Sequence, residues 1–315
     1  MTIKDLMTEV QAQVGKAVLG QEQVVAQLVT ALLAQGHVLL EGVPGVAKTL
    51  LSKALAHCVG AEFKRVQCTP DLMPADITGT NVFDMQARTF RLVKGPVFTN
   101  LLLVDEINRT PPKTQSALLQ AMQERYVTID GVDYHLEGVF FVIATQNPIE
   151  YEGTYPLPEA KLDRFLMKVY VGYPDAAAEQ DILRLHLRGL DPQDLDTAGV
   201  QRVVGLEELQ AATQELARQT VRDEMIAYIA ALAQRTRESP HTVLGASPRA
   251  AVALLRCAQV RAAAQGRDFV TPDDVQDMAH PVLRHRIILK PEAEIEGLTV
   301  EALVDGVISA VPVPR

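Results

Sequence analysis

Gly42-Val43-Pro44-Gly45-Val46-Ala47-Lys48-Thr49 is the stretch on which the reading of the whole chain turns. It follows a short apolar run, His37 to Glu41, and opens a helical pattern beginning near Leu50, so it occupies a strand-to-helix junction. Two glycines permit a sharp turn in which successive backbone N–H groups point into one hollow, and the amino end of the next helix adds positive potential there. Lys48 supplies a point charge for the β- and γ-phosphates of a nucleotide, and the Thr49 hydroxyl supplies a ligand for Mg²⁺. Ala47 stands where the strict pattern has glycine, a residue used for close backbone approach. The competing explanation is an ordinary glycine turn at a strand end.

Further along, Leu101-Leu102-Leu103-Val104-Asp105-Glu106 is an apolar strand ending in adjacent carboxylates, at the edge of an α/β sheet where ligands sit. Beside a phosphate loop, Asp105 would hold Mg²⁺ through its water shell and Glu106 would polarise the water that attacks the γ-phosphate. Read alone, Asp-Glu could equally start a loop before a helix capped at Thr110-Pro111. A third run, Val139 to Ala144, ends in Thr145-Gln146-Asn147-Pro148. An amide at a strand tip can bond both the attacking water and a γ-phosphate oxygen, which makes Asn147 a candidate sensor, against the alternative of a common Asn-Pro turn.

Two arginines follow. Arg164 lies in Lys161-Leu162-Asp163-Arg164-Phe165-Leu166, just before the last β-like run, and Arg249 follows Ser247-Pro248 in the first turn of a helix. A cation in a first turn opposes the helix dipole, and a bound phosphate would compensate it. The plainer readings are a surface ion pair of Arg164 with Asp163 or Glu159, and simple solvation of Arg249.

Around these motifs the first half alternates strands (His37 to Leu40, Phe63 to Gln67, Leu101 to Val104, Val139 to Ala144, Met167 to Val171) with helical stretches, which predicts a parallel sheet covered on both faces. Leu118, Leu119 and Met122 read as a helix face packed on that sheet. Tyr126 to Tyr134 alternates in polarity around Asp130-Gly131, the signal of a type I′ hairpin, and Thr80 to Val93 reads as a looser hairpin around a polar centre. Neither buries enough surface to be core, so both are contact devices. After Pro174 the β-like runs nearly vanish and the pattern is all-helical: Ala177 to Arg188, Leu206 to Arg218, Asp223 to Arg237, Pro248 to Gln265 and Pro272 to Leu283. The expected division is an α/β core over 1–173, with hairpins near 80–93 and 126–134, and a helical domain over 174–315.

Composition sets the limits. The 315 residues are 48% hydrophobic and 22% charged, as in an ordinary folded chain, and the net charge of -9 argues against duplex DNA as the main partner. Cys58, Cys68 and Cys257 lack paired spacing, so neither a disulfide framework nor a zinc ribbon is encoded, and buried reduced thiols are expected. His37, His57 and His186 are isolated and His280 with His285 lacks a carboxylate cluster, so no zinc site is expected. Met1 to Gly15 holds no apolar signal region, and no later apolar run approaches the ~20 residues that span a bilayer; a cytoplasmic protein without membrane insertion is expected.

In order, Gly20-Gln21, the phosphate loop, Asp105-Glu106, Asn147, Arg164 and Ser247-Pro248-Arg249 resemble the motif set of AAA+ ATPases over nearly the whole chain. More narrowly, the loop from Gly42 to Thr49 with its Ala47, and the blocks Asp105 to Gln115, Ala144 to Pro148 and Leu157 to Phe165, resemble the MoxR subfamily. In that resemblance the two hairpins match the helix-2 insertion and the hairpin before the Asn sensor, features shared with magnesium-chelatase motor subunits. It implies a Mg²⁺-dependent ATPase with a P-loop α/β core and a helical lid, assembled as a ring, commonly a hexamer, with nucleotide between protomers. Arg164 would be an arginine finger, Arg249 the second sensor, and Gly20-Gln21 part of the adenine pocket beside Gly42, Val43, Pro44, Gly45, Val46, Ala47, Lys48, Thr49 and Leu50. It also implies a chaperone-like motor that matures protein complexes or inserts metal cofactors, with a separate adaptor chain carrying a von Willebrand factor A domain. A slow nucleotide-dependent assembly switch is the main alternative. A nucleic-acid motor is disfavoured by the acidic balance, although Arg88, Arg91 and Lys94 give one hairpin a basic edge.

Overall fold

The structure, a computed structural model, describes residues 1–148, 154–187 and 194–314. Its centre is a five-stranded sheet in the order Phe63–Gln67, Leu101–Asp105, Phe141–Gln146, Val38–Glu41, Met167–Tyr170. All four pairings are parallel. Parallel strands are joined by helices that cover both faces, which is why the three inner strands are nearly unbroken apolar runs. Side chains alternate between the faces: Leu101 and Leu103 enter one apolar cluster, Leu102 and Val104 the other. Each fully buried leucine contributes about 1.5–3 kcal/mol to holding these layers together.

Register brings the chemistry to one edge. Gln67 lies opposite Asp105 and Glu41 opposite Gln146, so the carboxyl ends of adjacent strands finish level. The strand expected from Val139 begins two residues later, at Phe141, and the one expected from His37 begins at Val38. His37 itself serves as a brace: its Nδ1 accepts the Val142 N–H at 3.0 Å and its Nε2–H donates to the Met122 carbonyl at 3.0 Å. Burial pushes its pKa down to about 4, so the ring is neutral.

Both hairpins form. In Tyr126–Ile129 with Val132–His135 the turn residues Asp130 and Gly131 have φ of 49° and 80°, the backbone a type I′ turn requires. The other is more regular than expected: Gly79–Asp84 and Thr89–Lys94 pair residue for residue, and the Asp84 carboxylate accepts the Gln86 and Ala87 N–H groups in the connecting loop. Asn81 Nδ2 donates to the Asp130 carboxylate at 2.8 Å, tying one hairpin to the tip of the other.

Beyond Pro174 the expected helices appear as Ala176–Leu187, Leu206–Leu216, Asp223–Glu238, Pro248–Ala264 and Pro272–Leu283, with Arg188 outside the described residues. The Ser247 hydroxyl caps its helix by accepting the Ala250 N–H, and Thr271 with Asp274 forms a capping box. This half also holds elements the periodicity did not disclose, the helices Pro291–Ile295 and Val300–Ala310 and an antiparallel ribbon of Thr242–Leu244 with Ile288–Leu289. A ribbon of two and three residues is too short to leave an alternation in sequence. Helix Ile3–Val14 packs on Pro248–Ala264, so one apolar cluster runs from the amino terminus into the helical half. The three cysteines are buried free thiols; burial pushes those of Cys58 and Cys257 up to about 12 and that of Cys68 to about 11.

Candidate active site

At the level strand ends the loop after Val38–Glu41 borders a cleft of about 520 Å³. Gly42 is fixed by space: a Cβ there would lie 2.3 Å from the Val171 carbonyl oxygen. Gly45 is fixed by backbone, with φ +86° in open surroundings. Ala47 also adopts the left-handed region, φ 59° and ψ 24°, and is exposed. The glycine of the strict pattern thus meets a positive φ at this position, and Ala47 accepts a strain of about 1–2 kcal/mol. Lys48 and Thr49 open the helix Lys48–Cys58, and Lys48 Nζ donates to the Gly42 carbonyl at 2.7 Å.

Across the cleft stand Asp105, Glu106 and Asn147. Thr145 organises the two carboxylates: its hydroxyl donates to Asp105 Oδ1 at 2.5 Å and accepts the Glu106 N–H at 2.8 Å. Glu106 is held left-handed, φ 58° and ψ 52°, and pairs with Arg109 at 3.1 Å. Strained backbone at an acidic residue in a cleft is the kind of departure that functional sites retain. Asn147 is 5% exposed at the tip of its strand.

Several candidates from the sequence lie elsewhere. Val46 is buried and Val43 packs against the core, so both support the loop from behind. Gly20 and Gln21 do not line the cleft: Gln21 Nε2 donates to the Gly172 carbonyl at 2.9 Å, and Gly20, at φ +70°, leaves no room for a Cβ against Pro174 and Ala178. Arg164 and Arg249 do not line the cleft. Among the described residues the Arg164 guanidinium has no ion-pair partner, and Asp163 is taken by Arg286 at 2.7 Å and by the Ser247 hydroxyl at 3.1 Å.

Sequence reasoning missed Arg65, Lys53 and Thr145. Arg65 and Lys53 line the cleft, and Arg65 pairs with Asp105 Oδ2 at 2.7 Å. Thr145 was visible as a hydroxyl beside Asn147; Arg65 was not, since only the strand order places Phe63–Gln67 beside Asp105. The donor set of the cleft, a hydroxyl at Thr49 and a carboxylate at Asp105, is hard oxygen and fits Mg²⁺.

A parallel sheet carrying a phosphate loop opposite paired carboxylates, followed by a helical half, defines an ATPase of the AAA class. The family model "ATPase family associated with various cellular activities (AAA)" matches residues 37–167, and that of the "AAA lid domain" matches 234–307. The chain is 40% identical to "Chaperone MoxR1" of Mycobacterium tuberculosis over 96% of this chain and 81% of that one, and 46% identical to the "Uncharacterized protein YeaC" of Bacillus subtilis over 96% and 92%. A crystal structure described as a "putative ATPase" from Cytophaga hutchinsonii superposes with a TM-score of 0.90 at 39% identity, covering 99% of this chain and 96% of that one. The chain belongs to the MoxR family of AAA ATPases, enzymes that hydrolyse ATP. No helix among the described residues is long and apolar enough to cross a membrane.

Proposed function

We propose that the protein is a cytoplasmic, ring-forming, chaperone-like motor, hexameric as is common in its class, in which each ATP lies between two protomers. The observation that carries this reading is the face-to-face placement of Lys48 and Thr49 with Asp105, Glu106 and Asn147 across one cleft. In it the loop N–H groups and Lys48 bind the phosphates, Glu106 takes the proton of the attacking water, and Asn147 orients that water against the γ-phosphate. Thr49 and Asp105 would hold Mg²⁺, which supplies neutralisation of charge on the β- and γ-oxygens. Arg65 must release Asp105 as this happens, and its guanidinium is then free for the phosphate side. Arg164, free of any ion pair among the described residues, serves the neighbouring protomer as finger, and Arg249 reports nucleotide state from the lid. Residues 1–173 form the motor core and 174–315 the lid that moves against it.

The client is a protein. Val82, Phe83, Met85, Phe90 and Val93 are exposed on one hairpin, with Phe83 and Phe90 stacked edge to face at 5.3 Å, an apolar surface that a solvated loop does not need. Complex maturation or metal insertion with a von Willebrand factor A adaptor is the task this surface would serve. Lys48→Ala should abolish ATP binding, whereas Glu106→Gln should bind ATP and hydrolyse it about 100-fold or more slowly. Wild-type turnover by Glu106→Gln would overturn the assignment.

A further inference from the structure

The turn after helix Pro272–Leu283 reads Arg284-His285-Arg286, and all three side chains reach back to the segment that carries Arg164 or to the strand after it. The Arg284 guanidinium lies 4.3 Å from the ring centre of Tyr170. His285 Nε2–H donates to the Phe165 carbonyl at 3.0 Å. Arg286 goes furthest. Its side chain is 2% exposed; Nε donates to Asp163 Oδ1 at 2.7 Å, Nη2 to the Phe165 carbonyl at 2.6 Å and the Asp163 carbonyl at 3.3 Å, and Nη1 to the Leu166 carbonyl at 3.0 Å and to Val282.

A guanidinium this deeply buried is costly unless every donor is used, and here the acceptors other than Val282 all belong to Asp163, Phe165 and Leu166, the residues around Arg164. The same contact takes Asp163 away from its neighbour. The Asp163 carboxylate is one of the two candidates the sequence offers to neutralise Arg164; bound to Arg286 and to the Ser247 hydroxyl, it does not. Ser247 also caps the helix that begins Pro248-Arg249. The lid thus holds the Arg164 segment chiefly through Arg286, with His285 and Ser247 beside it, and Ser247 ties that segment to the helix that carries Arg249.

We propose that Arg286 is a positioning residue for ATP hydrolysis: from the lid it fixes the backbone around Arg164 and occupies Asp163, leaving the Arg164 guanidinium without an ion pair and available to the nucleotide of the adjoining protomer. This rests on the reading of Arg164 as a finger acting between protomers. A positioning residue of this kind leaves its own protomer's pocket intact and impairs the neighbour's.

The test is a set of mixed assemblies. Arg286→Lys keeps the buried charge but cannot reach all the acceptors; it should lower kcat about tenfold to a hundredfold, the cost of an ångström-scale misplacement, with KM for ATP within about twofold of wild type. Asp163→Asn, milder and partly exposed, should act in the same direction with a smaller loss and carries the test if Arg286→Lys does not fold. Mixing either variant with Glu106→Gln protomers, which lack a working pocket but keep a working finger, should raise turnover several-fold above the sum of the two proteins alone. Arg164→Ala mixed with Glu106→Gln is the reference. If that reference mixture recovers turnover and the Arg286→Lys mixture does not, Arg286 acts only within its own protomer or on stability, and the proposal is overturned. If the reference mixture itself fails to recover, the finger reading falls and takes this proposal with it.

Discussion

Two clusters of charge sit at opposite ends of the same sheet, the nucleotide cleft where its parallel strands finish and the Arg286 seam where Met167–Tyr170 begins, and they are built on opposite principles. The nucleotide cleft leaves its ions partly exposed, Arg65 and Asp105 at 46% and 13% of their side-chain surface, and holds Ala47 and Glu106 in left-handed backbone. The seam around Arg286 has its guanidinium almost wholly enclosed and each donor bonded to a carboxylate or carbonyl. Open, strained groups can exchange partners when a ligand arrives, whereas closed, satisfied ones resist rearrangement. In the proposed function, the difference separates the place where bonds change from the place that holds lid to core.

The sharpest way to break this contrast is at Arg164, which belongs to neither cluster by contact. Arg164→Ala should lower turnover on the order of a thousandfold, about 4 kcal/mol of barrier, with little change in melting temperature, since among the described residues it has no ion pair to lose. Equal turnover would return Arg164 to the status of a solvated surface cation. Next in size is Arg286→Met, which strands Asp163 and four carbonyls; chemical denaturation should show a loss of about 3–5 kcal/mol. A loss under about 1 kcal/mol would mean that the seam is as soft as the cleft.

Acid sharpens the contrast by another route. His285 is buried in the seam and His37 beneath the sheet, and burial depresses both pKa values, His37 to about 4. In the unfolded chain each titrates near 6.5, so as pH falls below that value the unfolded state binds protons that the folded state refuses, and stability declines. From about pH 7 to pH 5, His37 alone should cost about 2 kcal/mol, and His285 adds to the loss. Urea titrations of the wild type and of His37→Gln measure it: the variant's stability should depend less on pH. An equal slope in both would place the proton uptake elsewhere.

How much of this was legible depended on how local the cause was. The phosphate loop, Asp105-Glu106 and the Asp130-Gly131 turn were readable because each is set by residues adjacent in sequence whose backbone needs only certain side chains. The three inner strands were readable for a similar reason, since burial on both faces leaves nearly unbroken apolar runs. Arg65 beside Asp105 and Arg286 on Asp163 were not, because the first depends on strand order and the second spans from the helical half to the core. His285, which the sequence marks only as one of a pair with His280 that lacks a carboxylate cluster, owes its place to the same long-range fit. Ala47 is the mixed case: its position was recognised, but the physical reason for glycine there became visible only with its φ of 59°.

That reason supports the smallest expected effect. If left-handed backbone is what Ala47 endures, Ala47→Gly removes about 1–2 kcal/mol of strain from the folded loop while adding about 0.4–1 kcal/mol of freedom to the unfolded chain. The net should be a stabilisation of about 0.5–1 kcal/mol, read as a small rise in denaturation midpoint, with ATP affinity within about twofold of wild type because the loop N–H groups keep their directions. A fall in stability would mean that Ala47 leaves the left-handed region in solution. The cleft would then be less strained than its geometry indicates, and the contrast with the seam would rest on exposure alone.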